Sequence, residues 1–186
     1  MPSGPPASVL LLTGSPGCGK TTVAPLVADR HEPSVCLDLD WFFAKVRRGF
    51  IEPWRGEAHT QNRVILGAAA AAVVALAEGG YFTVADGILY PFMLDLFADA
   101  CAPHGIPLNY AVLRAPIGVV QQRVQDRRSE PEHLGALGDA EVVDDLWTQF
   151  ESHGVEERHR VESGASTPDE ISQEIDRRLA AGHFRL

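Results

Sequence analysis

An α/β fold, with a parallel sheet covered by helices on both faces, is what three features of this sequence predict. Short apolar runs ending in glycine or an acid recur along the chain. Amphipathic stretches separate them. The first run leads through a glycine-rich loop into a helix-like pattern.

Each element has its own justification. "SVLLLT" (8–13) is apolar at nearly every position and stops at Gly14, as a strand buried on both faces does. From Lys20 the pattern turns helical, with Val23, Leu26 and Val27 on one face. "SVCLDLD" (34–40) reads as a second strand ending in acids, followed by the connecting region "WFFAKVRRGFIEPWRG". A long helix follows, with a stripe of Ile65, Ala68, Ala69, Ala72, Val73 and Leu76, and Gly79-Gly80 ends it. "YFTVADG" (81–87) and "PLNYAVLRA" (107–115) are the third and fourth strands. Pro116 opens a helix carrying Ile117, Val120 and Val124 inward. Val143, Leu146, Trp147 and Phe150 mark the face of another helix, and a weak fifth strand is expected at 158–162. In "STPDE" Thr167 caps the last helix, with Pro168 in its first turn and Glu170 closing a capping box.

Composition sets the bounds. The 186 residues suit one domain, expected over 8–186 after a flexible tail at 1–7. A net charge of −9 argues against a nucleic-acid partner, since phosphate-backbone binders carry basic surfaces. Cys18, Cys36 and Cys101 are isolated, show no CxxC spacing and fit a reducing compartment. The N-terminus lacks the pattern of a signal peptide, and the Ala-rich run 64–77 is short for a membrane span. The expectation is a cytoplasmic protein with no membrane partner, monomeric or homodimeric.

Ligands of open parallel sheets collect at the carboxyl ends of the strands, and the chemistry-bearing residues of this chain sit there. "GSPGCGKT" fits G-x4-G-K-[ST], the P-loop (Walker A) motif. Gly14, Ser15, Pro16, Gly17, Cys18 and Gly19, continued by Lys20, Thr21 and Thr22, would cradle a phosphate at a helix N-terminus, through backbone N–H groups at every position but Pro16. Lys20 would reach the β- and γ-phosphates, and the Thr21 hydroxyl would ligate Mg²⁺. Cys18 reads as a small side chain whose backbone binds, with redox sensitivity as the alternative. Asp40 reads either as the carboxylate that orients or deprotonates an acceptor hydroxyl or as a helix N-cap before "WFFAKV", and one residue can do both. Asp38 is a weaker candidate. Asp86 reads as a Walker-B acid near Mg²⁺ or as a turn residue. Arg123 and Arg127 lie at i and i+4, and with Arg128 they either neutralise a transferring phosphoryl group or suit a helix C-terminus. Arg114 ends the fourth strand. Arg47, Arg48, Phe50 and Trp54 are candidates for an acceptor pocket, with a solvated turn and core packing as the plain alternatives.

Together "TGSPGCGKTT", Asp40, Asp86 and the arginine-rich helix resemble the small P-loop kinases, among them gluconate kinase, shikimate kinase, adenylate-kinase-like enzymes and chloramphenicol phosphotransferase. "GFIEPW" and "FESHGVEER" are similar to pieces of bacterial gluconate-kinase-like ATP-binding proteins. The resemblance spans about 9–179 and implies a three-layer α/β/α P-loop NTPase fold, a five-stranded sheet of order 2-3-1-4-5, and ATP with Mg²⁺. It also implies a lid near 127–138, Asp40 as the acceptor-side base, Arg123 and Arg127 as lid arginines, and Gly164 to Ser166 near adenine. The full acceptor set of no single named kinase is present, so gluconate is not inherited as a substrate.

The leading expectation is an ATP-dependent kinase acting on a hydroxyl of a small molecule. The alternatives are a nucleotide-sugar kinase of the zeta-toxin type and a non-catalytic ATP-binding module, because a P-loop alone establishes binding and not transfer. No N-K-x-D tetrapeptide occurs, which argues against a GTPase switch.

Overall fold

The computed structural model of the protein describes residues 7–127 and 139–186, with the backbone alone for Arg127. Residues 1–6 of the expected tail, and Arg128 with the rest of the expected lid to 138, lie outside the described residues.

Among the described residues, five strands form one parallel sheet: β1 (Val9–Gly14), β2 (Ser34–Asp38), β3 (Phe82–Asp86), β4 (Leu108–Arg114) and β5 (Arg160–Glu162). Their spatial order is β2-β3-β1-β4-β5, as the resemblance implies. Among the described residues, seven α-helices connect or follow them: α1 (Lys20–Ala28), α2 (Leu39–Ala44), α3 (His59–Glu78), α4 (Asp95–Cys101), α5 (Ile117–Arg127), α6 (Ala140–Ser152) and α7 (Pro168–Ala180). The last residues extend the sheet beside the start of β4, with Tyr110 N donating to Phe184 O at 2.8 Å and Leu186 N to Leu108 O at 3.1 Å.

Alternation along β1 builds two cores at once. Val9 and Leu11 face one layer, where α3 and α4 contribute Leu66, Val73 and Phe97. Leu10 and Leu12 face the other, where α1 brings Val23 and Val27 and α7 brings Ile171 and Ile175. That is why "VLLL" has no polar position: both faces of this central strand are covered. Truncating Leu11 to Ala would cost about 2–5 kcal/mol, since the site is closed on every side. A smaller cluster of Val120, Val124 and Val143 joins α5 to α6.

Two expectations change at this level. The buried face of α3 is Leu66, Ala69, Ala70, Val73, Val74 and Ala77, so only Ala69 and Val73 of the predicted stripe are buried. Alanine occupies so many positions that more than one face is apolar, and packing rather than period selects which one turns inward. α3 with its preceding turn (56–78) is also long and apolar enough to cross a membrane, yet this face packs into the sheet core. Strand β2 stops at Asp38, not Asp40, because α2 begins at Leu39. The capping box of α7, with Thr167, Pro168 and Glu170, forms as expected.

Candidate active site

Register aligns the carboxyl ends of the central strands. Leu12 pairs with Asp86, and Asp86 with Asp38, so the ends of β1, β3 and β2 lie at one level. The loop Gly14–Gly19 leaves β1 there and turns into α1. Gly14 has φ 144°, and a Cβ on it would fall 2.3 Å from Leu113 O of the neighbouring strand. The close approach of loop to sheet therefore needs glycine. Gly19 caps α1 with a left-handed φ of 104°. Lys20, the first residue of α1, is only 8% exposed, and its Nζ donates to Gly14 O at 2.8 Å and Ser15 O at 3.1 Å. The ammonium thus sits over its own loop, held by carbonyls. Cys18 is fully buried, with its Sγ 3.9 Å from Lys20 Nζ. Thr21 and Thr22 open to solvent at the start of α1.

Two carboxylates, Asp86 and Asp40, interact with that ammonium, and Asp38 interacts with both of them. Asp86 is 4% exposed. Burial pushes its carboxyl up to about 6, Asp38 adds to the rise, Lys20 opposes it, and Asp40 adds a smaller push. Asp40 is likewise raised, first by the surrounding protein and then by Asp38, with Lys20 opposing. Its side chain opens to solvent, so water screens its interactions more than those of Asp86. The cap of α2 belongs to Asp38, whose side chain accepts from Asp40 N at 2.8 Å. Asp40 is therefore free of the capping role and lies in the first turn of α2.

This donor set fits Mg²⁺ carried with a nucleotide. Among the described residues no group of three or more His, Cys, Asp or Glu forms a metal cage. Mg²⁺ on phosphates takes only one or two protein ligands and keeps several waters, and Thr21 with Asp86 supplies that kind of set.

Arg123 reaches the P-loop from α5. Its Nη1 lies 3.4 Å from both Gly17 O and Cys18 O, and its Nη2 donates to Ser163 O at 2.9 Å. Ser163, just after β5 and fully buried, donates from Oγ to Cys18 O at 2.8 Å, with Arg114 O at 3.1 Å. Gly164 to Ser166 follow directly, beside this contact. Sequence gave no sign of Ser163, because a serine after a three-residue strand carries no motif. Arg114 is committed elsewhere, with two bonds to Glu151 at 2.7 and 2.8 Å and one to Glu162 at 3.3 Å. The side chain of Arg127 lies outside the described residues.

Beside Asp40 opens a cleft of about 330 Å³. Its apolar walls are Phe43, Trp54, Ile88, Phe92, Met93 and Leu96, and its polar lining includes Asp40, Asn62, Arg63 and Tyr90. Trp54 is thus part of the cavity, whereas Arg47, Arg48 and Phe50 are exposed and outside its lining. Asn62 and Tyr90 were not legible beforehand: they come from α3 and from the segment after β3, distant in sequence from Asp40. That segment is fixed to the sheet through Thr13, whose Oγ1 accepts from Leu89 N at 2.8 Å, while the Tyr110 hydroxyl donates to Leu89 O at 2.9 Å.

Residues 9–153 match the family model described as AAA domain. No curated protein matches the chain in sequence. Among solved structures, a sugar kinase from Janibacter sp. HTCC2649, unliganded, is similar with a TM-score of 0.68 at 20% identity, over 94% of this chain and 95% of that one. The Mycobacterium tuberculosis APS kinase CysC, in complex with AMPPNP and APS, gives 0.66 at 20% identity, over 95% and 99%. Shikimate kinase from Acinetobacter baumannii, in complex with shikimate, gives 0.58 at 16% identity, over 95% and 94%. At these identities the likeness is one of fold.

Proposed function

The chain belongs to the AAA domain family, and from that premise we propose that it is an ATP-dependent phosphotransferase moving the γ-phosphoryl group to a hydroxyl of a small molecule. One observation carries this reading: Asp40 interacts electrostatically with Lys20 of the P-loop and also lines the adjoining cleft. A single carboxylate then faces both the phosphate end and a cavity sized for a small acceptor.

The geometry supports one set of roles. The loop N–H groups and the N-terminus of α1 hold the phosphates, and Lys20 exchanges its carbonyl partners for phosphate oxygens. Asp40 accepts the proton of the acceptor hydroxyl, a task that its raised proton affinity favours. Thr21 and Asp86 would hold Mg²⁺, which supplies charge neutralisation on the phosphates. Arg123 supports the loop from behind through the Gly17 and Cys18 carbonyls.

Mass spectrometry of reactions containing ATP, Mg²⁺ and a panel of sugars, nucleosides, nucleotide sugars and phenicol-type antibiotics tests the reading. Transfer to at least one hydroxyl is expected, abolished in Lys20→Ala. Asp40→Asn should bind ATP yet lose transfer. Full turnover by Asp40→Asn would remove the base assignment. Transfer confined to nucleotide sugars would place the chain with the zeta-toxin type. ATP binding without transfer to any acceptor would make it a binding module.

A further inference from the structure

Between Asp86 and the wall of the cleft runs a stretch with no strand or helix of its own, Gly87 to Tyr90. Leu89 in its middle is fully buried, and Ile88 and Tyr90 on either side of it line the cleft. A buried N–H and C=O outside any ladder need partners, and at Leu89 both partners are side chains. Thr13 Oγ1 accepts from Leu89 N at 2.8 Å and donates to Leu89 O at 3.2 Å. The Tyr110 hydroxyl donates to the same carbonyl at 2.9 Å. One threonine hydroxyl can do both tasks because it is donor and acceptor together. That accounts for the single polar side chain in "VLLLTG", where Thr13 is fully buried.

The same stretch meets both halves of the candidate site. Thr13 directly precedes Gly14, where the P-loop begins, and Leu12 O accepts from Gly87 N at 3.2 Å. On its other side Gly87 presses on α2. A Cβ on Gly87 would fall 2.8 Å from Leu39 Cβ and 3.1 Å from Leu39 Cδ1. Leu39 is buried and directly precedes Asp40. Residues 87–90 therefore join the strand that leads into the P-loop, the helix that carries Asp40 and the wall of the cleft.

On the premise of the phosphotransferase reading, we infer that Thr13 and Gly87 are positioning residues for transfer. The Thr13 hydroxyl fixes the cleft wall relative to the P-loop. The absent side chain of Gly87 lets Leu39, and with it Asp40, sit close to the end of β3. Neither residue lines the cleft. Both act on rate because transfer needs the attacking oxygen in line with the phosphorus, and a misplacement of about 1 Å can cost about a hundredfold.

Steady-state transfer by the full chain, from ATP to the compound of the acceptor panel that it phosphorylates, tests the assignment. Thr13→Val keeps the shape of the side chain and removes the hydroxyl, so Leu89 N–H loses its partner. It should lower kcat/KM for the acceptor about tenfold or more while the KM for ATP stays within about twofold. Thr13→Ser keeps the hydroxyl and should return to within about threefold of the parent chain. Tyr110→Phe should cost less than Thr13→Val, since Leu89 O keeps Thr13. Gly87→Ala acts through Asp40, so kcat should fall about tenfold with both KM values little changed. Should Thr13→Val fail to fold, as a melting curve shows, Gly87→Ala and Tyr110→Phe carry the test. Parental transfer by Thr13→Val or by Gly87→Ala overturns the inference. So does a loss of ATP affinity as large as the loss of transfer, which would assign these residues to the phosphate site. If the parent chain phosphorylates no compound, the phosphotransferase reading fails, and amide hydrogen exchange over 87–93 decides the role of Thr13 by itself. Exchange about tenfold faster in Thr13→Val than in Thr13→Ser, with ATP affinity kept, supports Thr13 as the anchor of the cleft wall. Equal exchange in the two variants overturns it.

Discussion

Asp38 holds the helix that carries Asp40: its carboxylate accepts from Asp40 N at 2.8 Å, and the two acids divide capping and chemistry between them. Asp38→Ala should therefore do two separable things. Losing an N-cap costs about 0.5–2 kcal/mol, readable as a lower midpoint in urea unfolding. Releasing the first turn of α2 should lower kcat for transfer while the affinity for ATP stays within about twofold, since the hydrogen bond of Asp38 goes to α2 and not to the P-loop. Asp38→Asn or Asp38→Ser, which still cap, should restore most of both. Equal loss of ATP affinity would show that Asp38 belongs to the phosphate site instead.

Asp86 should make stability depend on pH with a definite sign. Its carboxyl is raised from 3.8 to about 6, chiefly by burial, so between these values the folded chain binds more protons than the unfolded one. Stability is then highest below about pH 4 as far as this group is concerned, and it declines as pH rises through about 6. The loss is on the order of 3 kcal/mol at full ionisation. Asp40, also raised, contributes with the same sign. Asp86→Asn should flatten the decline, so that urea unfolding at pH 4.5 and pH 7.5 differs less in the variant than in the parent chain. An unchanged difference would mean that Asp86 titrates as an ordinary carboxyl.

The strand ends and the P-loop were legible in the sequence because their signals are local. "VLLLTG" is apolar without alternation, and the loop's glycines fall at fixed spacing before a helix pattern. The capping box of α7 was legible for the same reason. The inward face of α3 was not, since Ala at 68 to 72 makes several faces equally apolar. Nor could sequence divide Asp38 from Asp40, two residues apart at a strand-to-helix junction where either can cap. Ser163, Asn62 and Tyr90 reach the site only through tertiary packing, with nothing nearby in the chain to mark them.

Ser163 ties the end of β5 to the P-loop. Its hydroxyl lies 2.8 Å from Cys18 O and its carbonyl accepts from Arg123 at 2.9 Å, so one residue links loop, α5 and sheet. Ser163→Ala should cost about 1 kcal/mol of stability and raise the KM for ATP severalfold, with kcat little changed. Arg123→Lys should not substitute for the arginine, because an ammonium cannot span the Gly17, Cys18 and Ser163 carbonyls together. A KM that does not move in Ser163→Ala, measured beside a normal melting curve, would mean that the loop needs no such support.

Glycine substitutions at two places should move in opposite directions. At Gly14 a methyl group would lie 2.3 Å from Leu113 O and 2.7 Å from Cys18 Sγ, on a backbone with φ 144°. The backbone carbonyl cannot retreat without breaking the β1–β4 pairing, in which Gly14 is matched with Leu113. Gly14→Ala should therefore lose several kcal/mol of stability and bind no ATP. Gly67, in the middle of α3, has nothing within 4 Å of the added methyl and an ordinary helical backbone. Gly67→Ala should raise stability by about 0.5–1 kcal/mol, the usual gain of Ala over Gly inside a helix, and leave nucleotide affinity untouched. Paired urea unfolding and ATP titration of the two variants check both halves. A tolerated Gly14→Ala would mean that the loop does not press against β4 as described, and the placement of Lys20 over its carbonyls would fall with it.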